Sequence, residues 1–382
     1  MKEPLRHALL PAGLPDVLPP EAVHEAVLVG RLMKAFAGHG YLRVKPPLLE
    51  FEESLLSGTG AGLAEQTFRL MDPQSRHMMA IRADMTPQVA RIATTRLAHA
   101  ARPLRLSYAG QVLRVKGSQL RAERQFGQVG CELIGSLAPE ADAEVILLAV
   151  EALAGVGVPN LSVDLCVPTL VPTLCRAWGL SESDSLRLRE ALDRKDAAEV
   201  AAVGGEAARV LGRLMAAAGV AEHAVAVLAE LELPADAGRD RERLMRVVRL
   251  IREAAPALML TVDMVEYRGF EYQSGVSFTL FSRGVRGELG GGGRYLAGKA
   301  GEPAVGVTLY SDTVVRAVPA PEAPPRVYLP AGFGREVAAA LREAGWVTVA
   351  GLGPVADIEE EARRLACEHV MVEGQPRPVG RR

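Results

Sequence analysis

The stretch that decides the fold is Arg286–Val314, RGELGGGGRYLAGKAGEPAVGVTLYSDTV. Four glycines, Gly290 to Gly293, lead directly into Arg294 and Tyr295, and after a short polar loop comes a strand-like run, Ala304–Leu309. Residues without a Cβ let a backbone pass flush against a ligand, and an arginine beside them can clamp an anion. A tight turn between two strands accounts for the same residues with no ligand at all. The rest of the chain has to decide by supplying a matching pocket or failing to.

Upstream, Leu258–Val265 and Val276–Phe281 read as strands around Glu266–Gly275, EYRGFEYQSG. Arg268, Tyr267 and Tyr272 there are either hairpin residues or a cation and two phenols suited to a small polar molecule. Further back, Arg105–Val115 reads as a strand, Lys116–Glu123 as a polar loop and Arg124–Gly135 (RQFGQVGCELIG) as a second strand. Strand alternation puts Phe126, Gln128, Gly130 and Glu132 on one face and Val129, Cys131 and Leu133 on the other. If buried and unpaired, Gln128 and Glu132 would cost about 1–3 kcal/mol each. That face is therefore either solvated or satisfied by a ligand.

Before that hairpin, Gln66–Arg82 carries two strand-like runs around the turn Asp72-Pro73. Thr86-Pro87 then reads as a helix N-cap and first turn, with Val89, Ile92, Ala93, Leu97 and Ala100 as the buried stripe. Asp84, just outside that helix start, suits either a dipole partner or a ligand for an ammonium group. At the N-terminal end, Gly13–Pro20 is turn-rich. Glu21–Ala37 is an amphipathic helix by the spacing of Ala22, Ala26, Val29, Met33 and Phe36, stopped at Gly38 and Gly40, and a strand, Tyr41–Val44, runs up to Pro46-Pro47. That helix is either core or half of a dimer contact.

Residues 140–156 read as a buried helix and Leu161–Val167 as a strand. From about Trp178 to Pro256 the composition shifts to Ala, Leu, Arg and Glu with helical periodicity, an all-helical insert whose alternating charges mark a solvated face. Pro319–Pro325 (PAPEAPP) is a stiff linker. Beyond it, strands Val327–Leu329, Trp346–Ala350 and Val370–Val372 alternate with helices Arg335–Glu343 and Ile358–Ala366, a small α/β unit. The expected domains are thus a core over 1–318 with its insert at about 178–257, the linker, and a unit over 326–382.

A chain of 382 residues with 49% hydrophobic content can bury a sizeable core. Its net charge of −2 carries no nucleic-acid footprint. Cys131, Cys166, Cys175 and Cys367 form no CxxC pair and no metal-ligand cluster with the scattered histidines, as expected of buried thiols in a reducing compartment. With no signal-peptide pattern and no apolar run of membrane-spanning length, the expectation is a soluble cytoplasmic protein.

Five stretches, in order, resemble the motifs of class II aminoacyl-tRNA synthetases and, within them, the histidyl branch. Pro20–Pro47 is similar to the first, dimer-forming motif, Leu113–Gly135 to the second and Arg286–Val314 to the third. Arg82–Thr86 is similar to the loop that holds the α-amino group, and Arg268–Tyr272 to the branch's histidine signature. The resemblance covers roughly residues 10–318 and implies an α+β fold, an antiparallel sheet flanked by helices. It also implies histidine contacts at Asp84, Thr86 and Gln128 (the α-ammonium), Glu132 (an imidazole N–H), Arg268 (the carboxylate) and Tyr272. Arg114, Gly291, Gly292 and Arg294 would form the pocket wall. Gln273 departs from the signature, which has a second tyrosine there.

The ATP side departs further. Lys116 stands where the family has the glutamate that reads adenine, Ala122 where an arginine assists ATP, and Asp312-Thr313-Val314 where a triplet supplies the γ-phosphate arginine. Charge-assisted bonds contribute about 1.5–3 kcal/mol each, so the two lost arginines weaken ATP binding by about 3–6 kcal/mol, or roughly 10²–10⁴-fold. ATP activation is expected to be abolished. A histidine pocket without an ATP site is similar to the regulatory subunits of ATP phosphoribosyltransferase. That resemblance implies a non-catalytic, histidine-binding, allosteric subunit of histidine biosynthesis. Its implied partners are the short-form catalytic subunit, in a hetero-octamer, and a second copy of itself through the class II core; no cofactor, metal, tRNA or membrane is implied. The alternatives are an active histidine–tRNA ligase and a structural scaffold that binds nothing.

Overall fold

The computed structural model describes residues 9–117, 121–266 and 273–380. The chain divides into two compact units, Met1–Pro319 and Ala320–Arg382.

The first unit is built on a nine-stranded mixed sheet. Its order is Leu42–Arg43, Leu104–Leu113, Gln125–Ile134, Glu302–Tyr310, Gly290–Ala297, Gln273–Ser282, Leu161–Cys166, Met259–Val262 and Gly219–Val220. The long central strands pair antiparallel. Parallel pairing occurs towards the ends, where Leu42–Arg43 meets Leu104–Leu113 and Leu161–Cys166 meets Met259–Val262. The central strands are the expected antiparallel sheet flanked by helices, and the parallel pairs at its ends make the whole sheet mixed.

The glycine run is a sheet strand, not a turn. A Cβ on Gly292 would lie 2.0 Å from the Gly306 carbonyl oxygen, and one on Gly290 2.3 Å from that of Thr308. Close approach to a neighbouring strand, as much as to any ligand, therefore demands glycine here.

Alternation divides the sheet as expected. Val129, Cys131 and Leu133 join Val305, Val307 and Leu309 in the main core, against the helices Glu21–Gly38 and Pro139–Gly155. Helix Glu21–Gly38 buries His24, Leu28, Leu32, Met33 and Phe36. The expected stripe through Ala22 and Ala26 is thus rotated, because leucine side chains carry far more apolar area to bury than alanines. The helix Thr86–Thr94 stops short of Leu97 and Ala100. The Thr94 hydroxyl donates to the Ala90 carbonyl at 2.9 Å and that of Thr95 to Arg91 at 2.6 Å, side-chain bonds that compete with the helical ladder.

The insert contains helices from Glu182–Asp193 to Ala235–Ala254, yet it is not wholly helical: Gly219–Val220 pairs antiparallel with Met259–Val262. A three-stranded sheet, Leu49–Phe51, Met78–Ile81 and Arg69–Met71, holds the turn at Asp72, whose carboxylate accepts from the amides of Gln74 and Ser75.

The second unit has strands Arg326–Leu329, Val347–Ala350 and His369–Val372 in parallel, with helices Arg335–Glu343 and Ile358–Arg364. A further strand, Gln375–Pro378, which sequence reading missed, pairs antiparallel with His369–Val372. Among the described residues no helix is long and apolar enough to cross a membrane.

Candidate functional site: a buried carboxylate in a hydroxyl cage

Two rows of paired residues cross the second face of the sheet, and their members from Glu132 to Cys166 and from Thr308 to Thr279 line a pocket. One row runs Leu106, Glu132, Gly306, Gly293, Ser277 and Cys166 across six strands. The next runs Tyr108, Gly130, Thr308, Gly291, Thr279 and Asp164. The small residues in both rows leave space above the sheet. A Cβ at Gly130 would lie 2.5 Å from the Tyr108 hydroxyl, so this glycine makes room for the phenol. The pocket encloses about 670 Å³ including its open mouth, and Asp84, Thr86, Gln273, Glu288, Tyr295 and Tyr310 complete its lining.

Glu132 sits at the centre, 1% exposed. Its Oε1 accepts from the Thr86 hydroxyl at 3.1 Å and from the Tyr108 hydroxyl at 3.2 Å, and its Oε2 accepts from the Tyr295 hydroxyl at 2.9 Å. Thr308 Oγ1 lies 2.7 Å from the Tyr108 hydroxyl and continues the chain of hydroxyls. Burial pushes the Glu132 carboxyl up to about 8; the bonds from Tyr295 and Thr86 work against the rise, and the Asp84 charge adds to it. At neutral pH the raised value favours the protonated form of Glu132, which can donate a hydrogen bond. A ligand cation would favour its ionised form, which accepts an N–H.

Asp84 is anchored from both sides. Its Oδ1 accepts the Thr86 amide at 2.8 Å, and its Oδ2 accepts the Gln128 side-chain amide at 2.7 Å. Gln128 in turn accepts the Met85 amide through Oε1 at 2.9 Å. Gln128 thus positions Asp84 rather than presenting its own oxygen to the pocket. Thr86 is not a cap either: its hydroxyl turns to Glu132, and Asp84 serves the amide at the helix start.

Arg294 is not on this pocket wall. It projects to the other side of the strand from Tyr295, is 3% exposed, and binds Asp142 through Nε and Nη2 at 2.9 Å each, with further bonds to the carbonyls of Ser136 and Ala138. Arg243 of the insert donates to the same Asp142 at 2.9 Å. The reason is strand alternation: with Tyr295 turned to the pocket, its neighbour Arg294 must face away. Arg114 lies at the rim, 4.0 Å from Asp84 and over the Phe126 ring at 5.0 Å. Gly291 and Gly292 do line the pocket. Arg268 and Tyr272 lie outside the described residues.

At the far end of the glycine stretch, Asp312 Oδ1 accepts from Arg121 at 2.7 Å, and Thr313 Oγ1 accepts from Arg121 at 3.2 Å and from Arg316 at 3.1 Å. Lys116 and Ala122 are exposed on the hairpin loop. Among the described residues no group of three His, Cys, Asp or Glu could hold a metal ion.

Sequence reasoning missed Tyr108, Tyr295, Thr308 and Gly306. Tyr295, Gly306 and Thr308 stood in the decisive stretch, but the pairing register that brings them and Tyr108 to Glu132 is set between strands far apart in sequence.

A mixed sheet of this order flanked by helices is a synthetase-like fold, and the histidyl-tRNA synthetase family model matches residues 13–314. Within that class the chain is 62% identical to the ATP phosphoribosyltransferase regulatory subunit of Rhodospirillum centenum, over 96% of this chain and 95% of that one. It belongs to the family of ATP phosphoribosyltransferase regulatory subunits. Solved structures agree on the fold. An ATP phosphoribosyltransferase regulatory subunit/histidyl-tRNA synthetase from Bacillus halodurans matches with TM-score 0.81 at 23% identity, over 95% of this chain and 97% of that one. A chain of the ATP phosphoribosyl transferase (HisG:HisZ) complex from Thermotoga maritima matches with TM-score 0.59 at 18% identity, over 75% and 97%.

Proposed function

We propose that this chain is a non-catalytic regulatory subunit of ATP phosphoribosyltransferase, required for the first step of L-histidine biosynthesis, and that its pocket binds L-histidine as feedback inhibitor. Family membership supports the regulatory role, and the observation that carries the ligand is the buried Glu132 in its cage of hydroxyls. One carboxyl of adjustable charge suits imidazole, whose two nitrogens exchange donor and acceptor roles. Asp84, which lines the pocket and accepts from Gln128 at 2.7 Å, takes the α-ammonium in this reading. Arg268 and Tyr272 complete the reading at the carboxylate and the ring. Synthetase chemistry has no support on the nucleotide side, where Asp312 sets a negative charge against Arg121 and Thr313 offers only a hydroxyl.

The partner in this reading is the short-form catalytic subunit, in a hetero-octamer built on self-dimers of the class II core. Val23, Val27 and Leu42 are exposed apolar side chains on the helix and strand of the dimer motif, as a self-contact requires. Histidine can inhibit only by binding one state of the assembly more tightly than another, a coupling of typically about 1–3 kcal/mol. Cytoplasmic location and the absence of a tRNA partner belong to the same reading.

Titration calorimetry with L-histidine tests the pocket. Saturable heat that Glu132→Ala abolishes is expected. No heat at millimolar histidine would leave only the scaffold, and histidine-dependent charging of tRNA would restore the ligase.

A further inference from the structure

Tyr108, Gly130 and Thr308 stand side by side in one row across three paired strands. A Cβ on Gly130 would lie 2.5 Å from the Tyr108 hydroxyl, so the phenol reaches over the glycine towards the far strand. There it meets Thr308 Oγ1 at 2.7 Å, and it stands 3.2 Å from both Glu132 Oε1 and Thr86 Oγ1. Thr86 Oγ1 is itself 3.1 Å from Glu132 Oε1. Tyr108 is fully buried, whereas Thr308 lines the pocket.

Counting hydrogens gives these contacts a direction. Burial, with the Glu132 and Asp84 charges adding to it, holds the Tyr108 hydroxyl well above the usual phenol range, so it keeps its one hydrogen. When Glu132 is a carboxylate, that hydrogen goes to Oε1 and the Tyr108 oxygen accepts from Thr308. A proton on Oε1, the oxygen that faces both hydroxyls, reverses the order. Glu132 then donates to Tyr108 directly, or to Thr86, which donates to Tyr108 in turn. By either route the Tyr108 hydrogen points to Thr308, whose own hydrogen turns to the pocket. Among the described residues the titratable groups facing Glu132 are Asp84, before the helix Thr86–Thr94, and Tyr108 and Tyr295 on other strands, with Cys131 beside it on its own strand.

We propose that Thr308 is the positioning residue that lets Glu132 hold a proton, ending the hydroxyl chain as donor to Tyr108 when Glu132 is ionised and as acceptor from it when Glu132 is protonated. Without Thr308 the buried Tyr108 hydrogen lacks its acceptor in the protonated state alone, because in the ionised state Glu132 takes it. Loss of the threonine hydroxyl therefore favours the carboxylate, and the pocket offers a ligand an acceptor where it could offer either a donor or an acceptor. The bearing on histidine rests on the function proposed above; the effect on Glu132 does not.

The test is thermal melting of the full chain without added ligand, from about pH 5 to about pH 9, which spans the window in which Glu132 titrates. Glu132→Gln is compared with its parent in the wild-type, Thr308→Val and Thr308→Ser backgrounds. In the wild-type background the relative stability of Glu132→Gln rises with pH and levels off where folded Glu132 ionises. With Thr308→Val it should level off at least about one pH unit lower, a tenfold change in the proton equilibrium. Thr308→Ser, which keeps the hydroxyl, should restore the wild-type limit. Circular dichroism identifies a variant that fails to fold, and Thr308→Ala then takes the place of Thr308→Val. A limit that stays in place while the melting temperature falls makes Thr308 merely structural and overturns the proposal, as does Thr308→Ser behaving like Thr308→Val. Calorimetry with L-histidine keeps the two readings apart: without histidine heat the proposed ligand fails while a lowered limit still upholds Thr308, and with heat but an unmoved limit only the role of Thr308 fails.

Discussion

Gly306 and Glu132 face each other across paired strands, and a Cβ on Gly306 would lie 1.8 Å from the Glu132 carboxylate oxygen Oε2. The carboxylate occupies the space the glycine leaves. Gly306→Ala should therefore displace Glu132 from the Tyr295 hydroxyl without removing any polar group of the site. Histidine affinity should fall at least about tenfold, measured by calorimetry on folded protein. Unchanged affinity would place the ligand away from Glu132.

The raised pKa of Glu132 gives stability a defined pH dependence. In the unfolded chain the group ionises near 4.5, and in the folded pocket near 8. Between those values the native state binds the extra proton, so this residue's contribution falls as pH rises from about 4.5 to about 8. Glu132→Gln lacks this term. Its melting temperature relative to wild type should rise across that window, and a constant difference would contradict the assignment.

Histidine should act on the same proton. If the ligand brings against Glu132 a positive charge it already carries in solution, the carboxyl ionises on binding and a proton passes to the buffer. Calorimetry at pH 7 in two buffers of different ionisation enthalpy should show different apparent heats. Equal heats would mean that the proton stays within the site, on Glu132 or passed to a ring nitrogen of the ligand.

Arg294 should behave as a structural residue. Removing one partner of a buried pair leaves the other charge uncompensated, which costs about 3–5 kcal/mol. Arg294→Met should lower the melting temperature, by less than a full stranding would, because Arg243 still pairs with Asp142 at 2.9 Å. If it abolished histidine binding at temperatures where the fold is intact, the residue would have to reach the pocket after all.

The proposed self-contact is open to a direct check. Val27→Glu places a charge among exposed apolar residues of the Glu21–Gly38 helix, away from the buried His24, Leu28 and Leu32 face. Light scattering should show a shift towards monomer with unchanged circular dichroism. An unshifted mass would move the dimer contact elsewhere.

Much of this was legible in the sequence, and what was lost had physical causes. Alternation alone put Gln128 and Glu132 on one face of their strand, because a period of two leaves no freedom. It did not reveal that Gln128 spends both ends of its amide on Met85 and Asp84, since those partners lie about forty positions away. The same alternation could have excluded Arg294 from the pocket had Tyr295, not the arginine, been taken as the pocket-facing member of the pair. Thr86 looked like a cap because threonine before proline usually is one. Tertiary competition from a buried carboxylate outweighed that local preference. The helix Glu21–Gly38 was found in nearly its full length, but its buried face was misplaced by counting alanines equally with leucines.

The most direct test of the central claim is reconstitution. The short-form catalytic subunit of ATP phosphoribosyltransferase is assayed for phosphoribosyl transfer alone, with this chain, and with this chain plus L-histidine. The rate should depend on this chain, and histidine should suppress it in the complex with wild type but not with Glu132→Ala. A rate that is the same with and without this chain would contradict the account.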